Sequence, residues 1–190
     1  HVARALHDRG YRVFAFDLRG HGKSEGPRAY VQSFDAFLGD VGAYLRWVDA
    51  QAPDRPRFLL AHSLGGCIST LFTLRHRPKL AGLVLSGPAL KLGEDFSPAK
   101  IAAGRFLGRY FPRLPIEKLD SGSVSRDPEV VRAYQADPLV FHGWVRTGFG
   151  LAFMAAAEEV GERMEEVELP LLVLQGAKDR LVNKAGGREL

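Results

Sequence analysis

Apolar residues recur along this chain in two rhythms, and the switches between them mark out its elements. Val2, Ala5 and Leu6 fall at helical spacing, and Gly10 can close that helix. Residues 11–16 read as a strand that finishes at Asp17. Phe34, Phe37, Leu38, Val41, Leu45 and Val48 then recur three and four apart, which predicts a helix over residues 34–50. Pro53 and Pro56 bound a strand at 57–61, and a helix over 64–75 ends before Pro78. Residues 80–86 form another buried strand. Strand and helix alternate three times, the pattern of a parallel sheet with crossover helices.

After Pro88 the rhythm changes. Residues 89–167 hold no convincing buried strand, only helical patches at 99–110, 129–135 and 145–166, broken by Pro98, Pro112, Pro115, Pro128 and Pro138. The strand pattern resumes at 170–175, followed by Gly176 and Asp179. The expected organisation is a core in two parts, residues 1–88 and 168–190, with a helical cap of residues 89–167 inserted after the third strand.

The most informative local signal is Ala61-His62-Ser63-Leu64-Gly65, followed by Gly66. A serine at a sharp strand-to-helix turn can act as an exposed nucleophile, and such a turn wants small residues two before and two after it. Ala61 and Gly65 meet that need, although Ala61 stands where glycine is usual. At the start of the next helix the N–H of Leu64 is placed to meet the oxyanion of an attacked carbonyl. The plain alternative is a serine that caps a helix. Ser63 and Asp179 both follow strands, where functional loops of parallel sheets gather, and they stand in the order nucleophile, then acid. Asp179 would hold a base histidine in its working tautomer; otherwise it is an ordinary turn aspartate.

Composition narrows the field. The 190 residues suffice for one domain that buries about 70% of its unfolded surface. No apolar run reaches transmembrane length and no signal peptide is visible, which predicts a cytoplasmic protein in at most peripheral contact with membrane. The net charge of +4 comes from scattered arginines without interleaved aromatics, which argues against nucleic acid as a partner. The single Cys67 excludes an internal disulfide and a cysteine metal cluster, and its apolar helix predicts a buried, inert thiol. No metal and no cofactor are called for. The glycine-rich loop of residues 17–27 lacks P-loop spacing, so its predicted role is structural, with Asp17 and Ser24 bonding loop backbone.

Taken together, Phe16-Asp17-Leu18-Arg19-Gly20-His21-Gly22-Lys23-Ser24-Glu25-Gly26, His62-Ser63-Leu64-Gly65-Gly66, Ser125-Arg126-Asp127-Pro128, Asp137-Pro138-Leu139 and Leu174-Gln175-Gly176-Ala177-Lys178-Asp179 carry a resemblance. The chain resembles the monoacylglycerol lipase and lysophospholipase-like branch of the α/β-hydrolases over nearly its whole length. That resemblance implies an α/β-hydrolase fold, with Ser63 as nucleophile, Asp179 as triad acid and Leu64 as one oxyanion donor. It implies a cap that lines an acyl-chain tunnel, and hydrolysis of a fatty acid glycerol mono-ester through an acyl-enzyme without a cofactor.

Two departures go with it. The family's second oxyanion donor, in a His-Gly turn, is not found, and no histidine follows Asp179. The chain, which opens on His1, is therefore expected to be an internal fragment, close to inactive if it ends at Leu190. His62 adjoins the nucleophile but points away from its Oγ, and His21, His7 and His76 belong to a loop and to helix surfaces. His142 in the cap is the one rival base, and substrate contacts are otherwise unassigned. Lys100, Arg105, Arg109 and Arg113 beside Ile101, Phe106, Leu107, Tyr110 and Phe111 would let the cap rest on anionic lipid; the alternative is a lid with solvated arginines. The rival functions are a general short-chain carboxylesterase and a non-catalytic lipid- or partner-binding protein. An exposed sheet edge would leave the chain prone to pairing.

Overall fold

The structure, a computed structural model, describes residues 1–91 and 98–190; of Pro98, Lys100, Lys184, Arg188 and Glu189 it describes only the backbone. Helix α1 spans Val2–His7 and α2 spans Asp35–Gln51. Strand β1 (Phe58–His62) turns directly into α3 (Leu64–His76), which leads to β2 (Gly82–Ser86). The helices α4 (Pro98–Tyr110), α5 (Pro128–Ala136) and α6 (Thr147–Arg163) follow, with short strands β3 (Pro115–Glu117) and β4 (Val145–Arg146) pairing antiparallel between them. Strand β5 (Leu171–Leu174) and helix α7 (Lys184–Glu189) complete the order.

β1, β2 and β5 form a parallel sheet in that order, with Leu60 beside Val84 and Val84 beside Leu172. Parallel neighbours need crossovers. α3 supplies the first, and the long insertion after β2 supplies the second. α3 is apolar almost all round, with every residue from Gly66 to Leu74 buried, so it is a central helix rather than a surface one. Phe37, Leu38 and Val41 of α2 meet Ile68, Leu71 and Leu74 of α3 in the main core. Ala156 and Val160 of α6, with Met164 just after it, join the same cluster.

The segment 11–16, predicted as a strand, has no ladder among the described residues. A strand exists only through its neighbour's hydrogen bonds, and among the described residues none lies beside it. Its aromatic side chains lean on α2 instead: Phe14 meets Trp47 edge-on at 5.7 Å, and Phe16 meets Tyr44 at 4.3 Å. The glycine-rich loop is built as its composition predicts. Gly20, Gly22 and Gly26 all take positive φ, the Asp17 carboxylate accepts the Lys23 N–H at 2.8 Å, and the Ser24 hydroxyl donates to the Asp17 carbonyl at 2.6 Å.

In the insertion, α4 crosses α6 at Gly108, where a β-carbon would stand 2.6 Å from that of Leu151. Asp127 caps α5 through the Glu129 N–H, with Pro128 in its first turn. The C-terminal half of α6 is tied to α2 and α3 by charge as well as packing. Arg75 of α3 pairs with Asp35 and with Glu159, which also accepts from Arg163 at 3.0 Å.

Candidate active site

Ser63 occupies a backbone conformation that residues with a β-carbon avoid, φ 53° and ψ −120°, at the junction of β1 and α3. The strain persists because the end of β2 and the segment after it hold the junction from both sides. The Ser63 N–H donates to the Ser86 carbonyl at 3.1 Å, and the Ala89 N–H donates to the Ser63 carbonyl at 3.0 Å. His62 donates from Nδ1 to that same Ser86 carbonyl at 2.7 Å; a carbonyl only accepts, so Nδ1 carries the proton. The Ser63 side chain does not cap α3 and makes no hydrogen bond among the described residues. Leu64 is the first residue of α3, so its N–H belongs to the unsatisfied first turn.

The steric demand of this turn lies one residue later than expected. A β-carbon at Gly65 would meet only that of Ala61, at 3.8 Å, an ordinary contact. At Gly66 it would stand 2.6 Å from the Pro88 β-carbon, so Gly66 is where the helix passes tightly against the neighbouring loop.

Asp179 sits in the turn after β5, half-buried. Its Oδ1 accepts the N–H groups of Leu181 and Val182 at 2.9 and 3.0 Å, and its Oδ2 accepts Gln175 Nε2 at 3.1 Å. The Gly87 N–H donates to the Leu174 carbonyl at 2.7 Å, which brings this turn against the loop that braces Ser63. A β-carbon on Gly87, itself at φ 49°, would lie 3.5 Å from Asp179 Oδ2 and 3.6 Å from His62 Cε1. The carboxylate and the residue before the serine thus flank one glycine.

The histidines separate clearly. His142 is exposed, with its ring edge-on to Tyr134 at 5.6 Å. His21 bonds through Nδ1 to the Arg19 carbonyl inside its loop. Among the described residues, no histidine hydrogen-bonds to Ser63 or Asp179. Cys67, one turn into α3, is fully buried, and desolvation pushes its thiol up to about 12. No group of histidines, cysteines and carboxylates among the described residues is arranged to hold a metal.

A cleft of about 870 Å³ lies apart from this cluster, between the glycine-rich loop and α2, lined by Phe16, Arg19, Tyr30, Tyr44 and Trp47 among others. Neither Ser63 nor Asp179 borders it. The insertion after β2 presents exposed apolar side chains: Phe106, Tyr110, Phe111, Leu114 and Ile116, with Leu119 63% exposed. Of its arginines, Arg105 is paired with Glu158, while Arg109 and Arg113 lie over the rings of Tyr110 and Tyr30. Sequence reasoning singled out Ser63, Leu64 and Asp179 as candidates but not the residues around them, Ser86, Gly87 and Ala89, nor Gln175; no local signal marks these.

The family described as serine aminopeptidase, S33, matches residues 1–190. The chain is 39% identical over its whole length to a monoacylglycerol lipase of Mycolicibacterium smegmatis, covering 68% of that protein. It is 36% identical over 175 residues to a monoglyceride lipase of Rattus norvegicus, covering 92% of this chain and 58% of that one. The crystal structure of a Paleococcus ferrophilus monoacylglycerol lipase superposes with a TM-score of 0.86 at 29% identity, over 98% of this chain and 70% of the other. The chain thus spans 58% to 68% of the length of these curated relatives.

Proposed function

The chain belongs to the serine aminopeptidase S33 family and has the α/β-hydrolase fold, and on that premise we propose that it carries the nucleophile and acid of a serine esterase acting on monoacylglycerol or lysophospholipid. The observation that carries this reading is the strained Ser63, clamped at the head of α3 by Ser86 and Ala89, with Asp179 facing Gly87 of that same bracing segment. Strain of this kind, roughly 1–3 kcal/mol, is kept where the surroundings enforce it, most often at functional sites. Ser63 Oγ attacks the ester carbonyl and passes its proton to a base. The tetrahedral oxyanion takes the Leu64 N–H, and its collapse expels the glycerol oxygen, which receives that proton. Water then attacks the acyl-enzyme, releasing the fatty acid and restoring the serine. Asp179 serves the base as its orienting carboxylate.

Residues 89–167 act in this reading as the lid, while the C-terminal half of α6 anchors it to the core. The exposed apolar stripe with Arg109 and Arg113 is its contact with anionic lipid, a peripheral contact, since no helix among the described residues is long and apolar enough to cross a membrane. Arg109→Gln with Arg113→Gln is expected to weaken partitioning onto anionic vesicles; unchanged partitioning would remove the lipid contact.

The test of the reaction is intact mass after a fluorophosphonate probe, on the whole gene product. A single adduct that disappears in Ser63→Ala is expected, and no adduct would overturn the reading. Long-chain monoacylglycerol should then be cleaved faster than a butyrate ester. The reverse preference would point to a general short-chain carboxylesterase.

A further inference from the structure

The Asp179 carboxylate is held unequally at its two oxygens. Oδ1 is fixed by two N–H groups of its own turn, those of Leu181 and Val182. Oδ2 is the oxygen turned toward Gly87, and a side chain just past β5 holds it: Gln175 Nε2 donates at 3.1 Å. We infer that Gln175 is the positioning residue of the triad acid. The inference rests on the esterase reading for its purpose, while the clamp itself is measurable without catalysis.

Two observations support this beyond the single hydrogen bond. Gln175 Oε1 is buried and has no hydrogen-bond partner among the described residues. Turning the amide over would bring that oxygen against the carboxylate, two acceptors face to face, so the donor orientation is forced. A buried acceptor left unpaired is destabilising, and a residue chosen only to fill this space would be apolar. The second observation is how closely α7 crosses the amide. It does so at Gly187, where a β-carbon would stand 3.1 Å from Oε1 and 3.4 Å from Val173 Cγ1. The amide is confined between β5 and α7 with its nitrogen on Asp179, which leaves Oδ2 one orientation toward Gly87. Gln175 touches no reacting atom; it acts through Asp179.

The test uses the whole gene product with Gln175→Leu, and Gln175→Met as a second variant should Leu not fold. Three results are expected. In the parent, one Gln175 side-chain amide proton exchanges slowly with solvent by NMR, and Asp179→Ala abolishes that protection. The Leu or Met variant melts close to the parent, because removing the unpaired acceptor offsets the donor lost from Asp179. The limiting rate of Ser63 phosphonylation falls about tenfold at an unchanged half-saturating probe concentration, the effect of one lost hydrogen bond to a charged group. A freely exchanging amide, or a variant that reacts at the parent rate, would overturn the inference. So would a variant that melts lower and loses reactivity only in proportion to its folded fraction. A parent that takes no probe overturns the esterase reading instead, and the amide signal alone then decides the clamp.

Discussion

In the proposed esterase reading Ser63 meets two demands that pull against each other, a side chain for chemistry and a backbone angle suited to glycine. Substituting it separates them. Ser63→Ala and Ser63→Gly both lose the fluorophosphonate adduct, but the glycine variant should be the more stable by about 1 kcal/mol in denaturant melts. Equal stabilities would mean that the positive φ stores no strain. Beside it, Cys67 should resist alkylation at pH 8 in the native protein and react only on unfolding, since burial holds its thiol near 12. The serine was legible because a small-residue turn between an apolar run and a helix is a local pattern. Gln175 was not, because its meaning lies in Asp179 four residues on, across a turn whose shape only the folded chain defines.

Among the elements, α6 shows how the insertion after β2 is fastened to the core. Its first half meets α4 tightly at Gly108, and its second half enters the main core through Ala156 and Val160. Gly108→Val forces a side chain into Leu151 and should cost about 1–3 kcal/mol, read as a lowered denaturant midpoint. The ion pairs of Glu159 add a pH dependence. Hydrogen bonds from Arg75, then Arg163, hold its carboxyl below the usual range. A depressed carboxylate stabilises the fold above its unfolded value of about 4.3 and loses that contribution as pH falls through the folded one. Glu159→Gln should therefore be less stable than the parent at pH 7, with the two converging toward pH 3. A constant difference across that range would exclude the ion pairs as the cause. Helix existence was legible from spacing, whereas the entry of α6 into the core was not, since periodicity reports an apolar face but not what it packs against.

At the scale of the molecule the sheet is covered unevenly. Phe58 and Leu60 on β1, and Leu172 and Leu174 on β5, all point to one face by their register and are all exposed. The outer edge of β1 is unpaired among the described residues. The 190 residues expressed by themselves should self-associate at micromolar concentrations, and Leu60→Lys with Leu172→Lys should return them to monomer in sedimentation. A monomeric parent would show that this face is harmless in solution.

By itself the sequence determined the elements that depend on near neighbours: the parallel α/β pattern, the serine turn, the glycine-rich loop and the places of Ser63 and Asp179 after their strands. Only the tertiary structure decided what depends on residues far apart in the chain. It left 11–16 without a ladder, put the tight contact at Gly66 against Pro88, and set Asp179 beside Gly87 with Gln175 on its oxygen. The physical reason is range: spacing encodes which way a side chain points along its own element, while contacts between loops appear only once the sheet has assembled them.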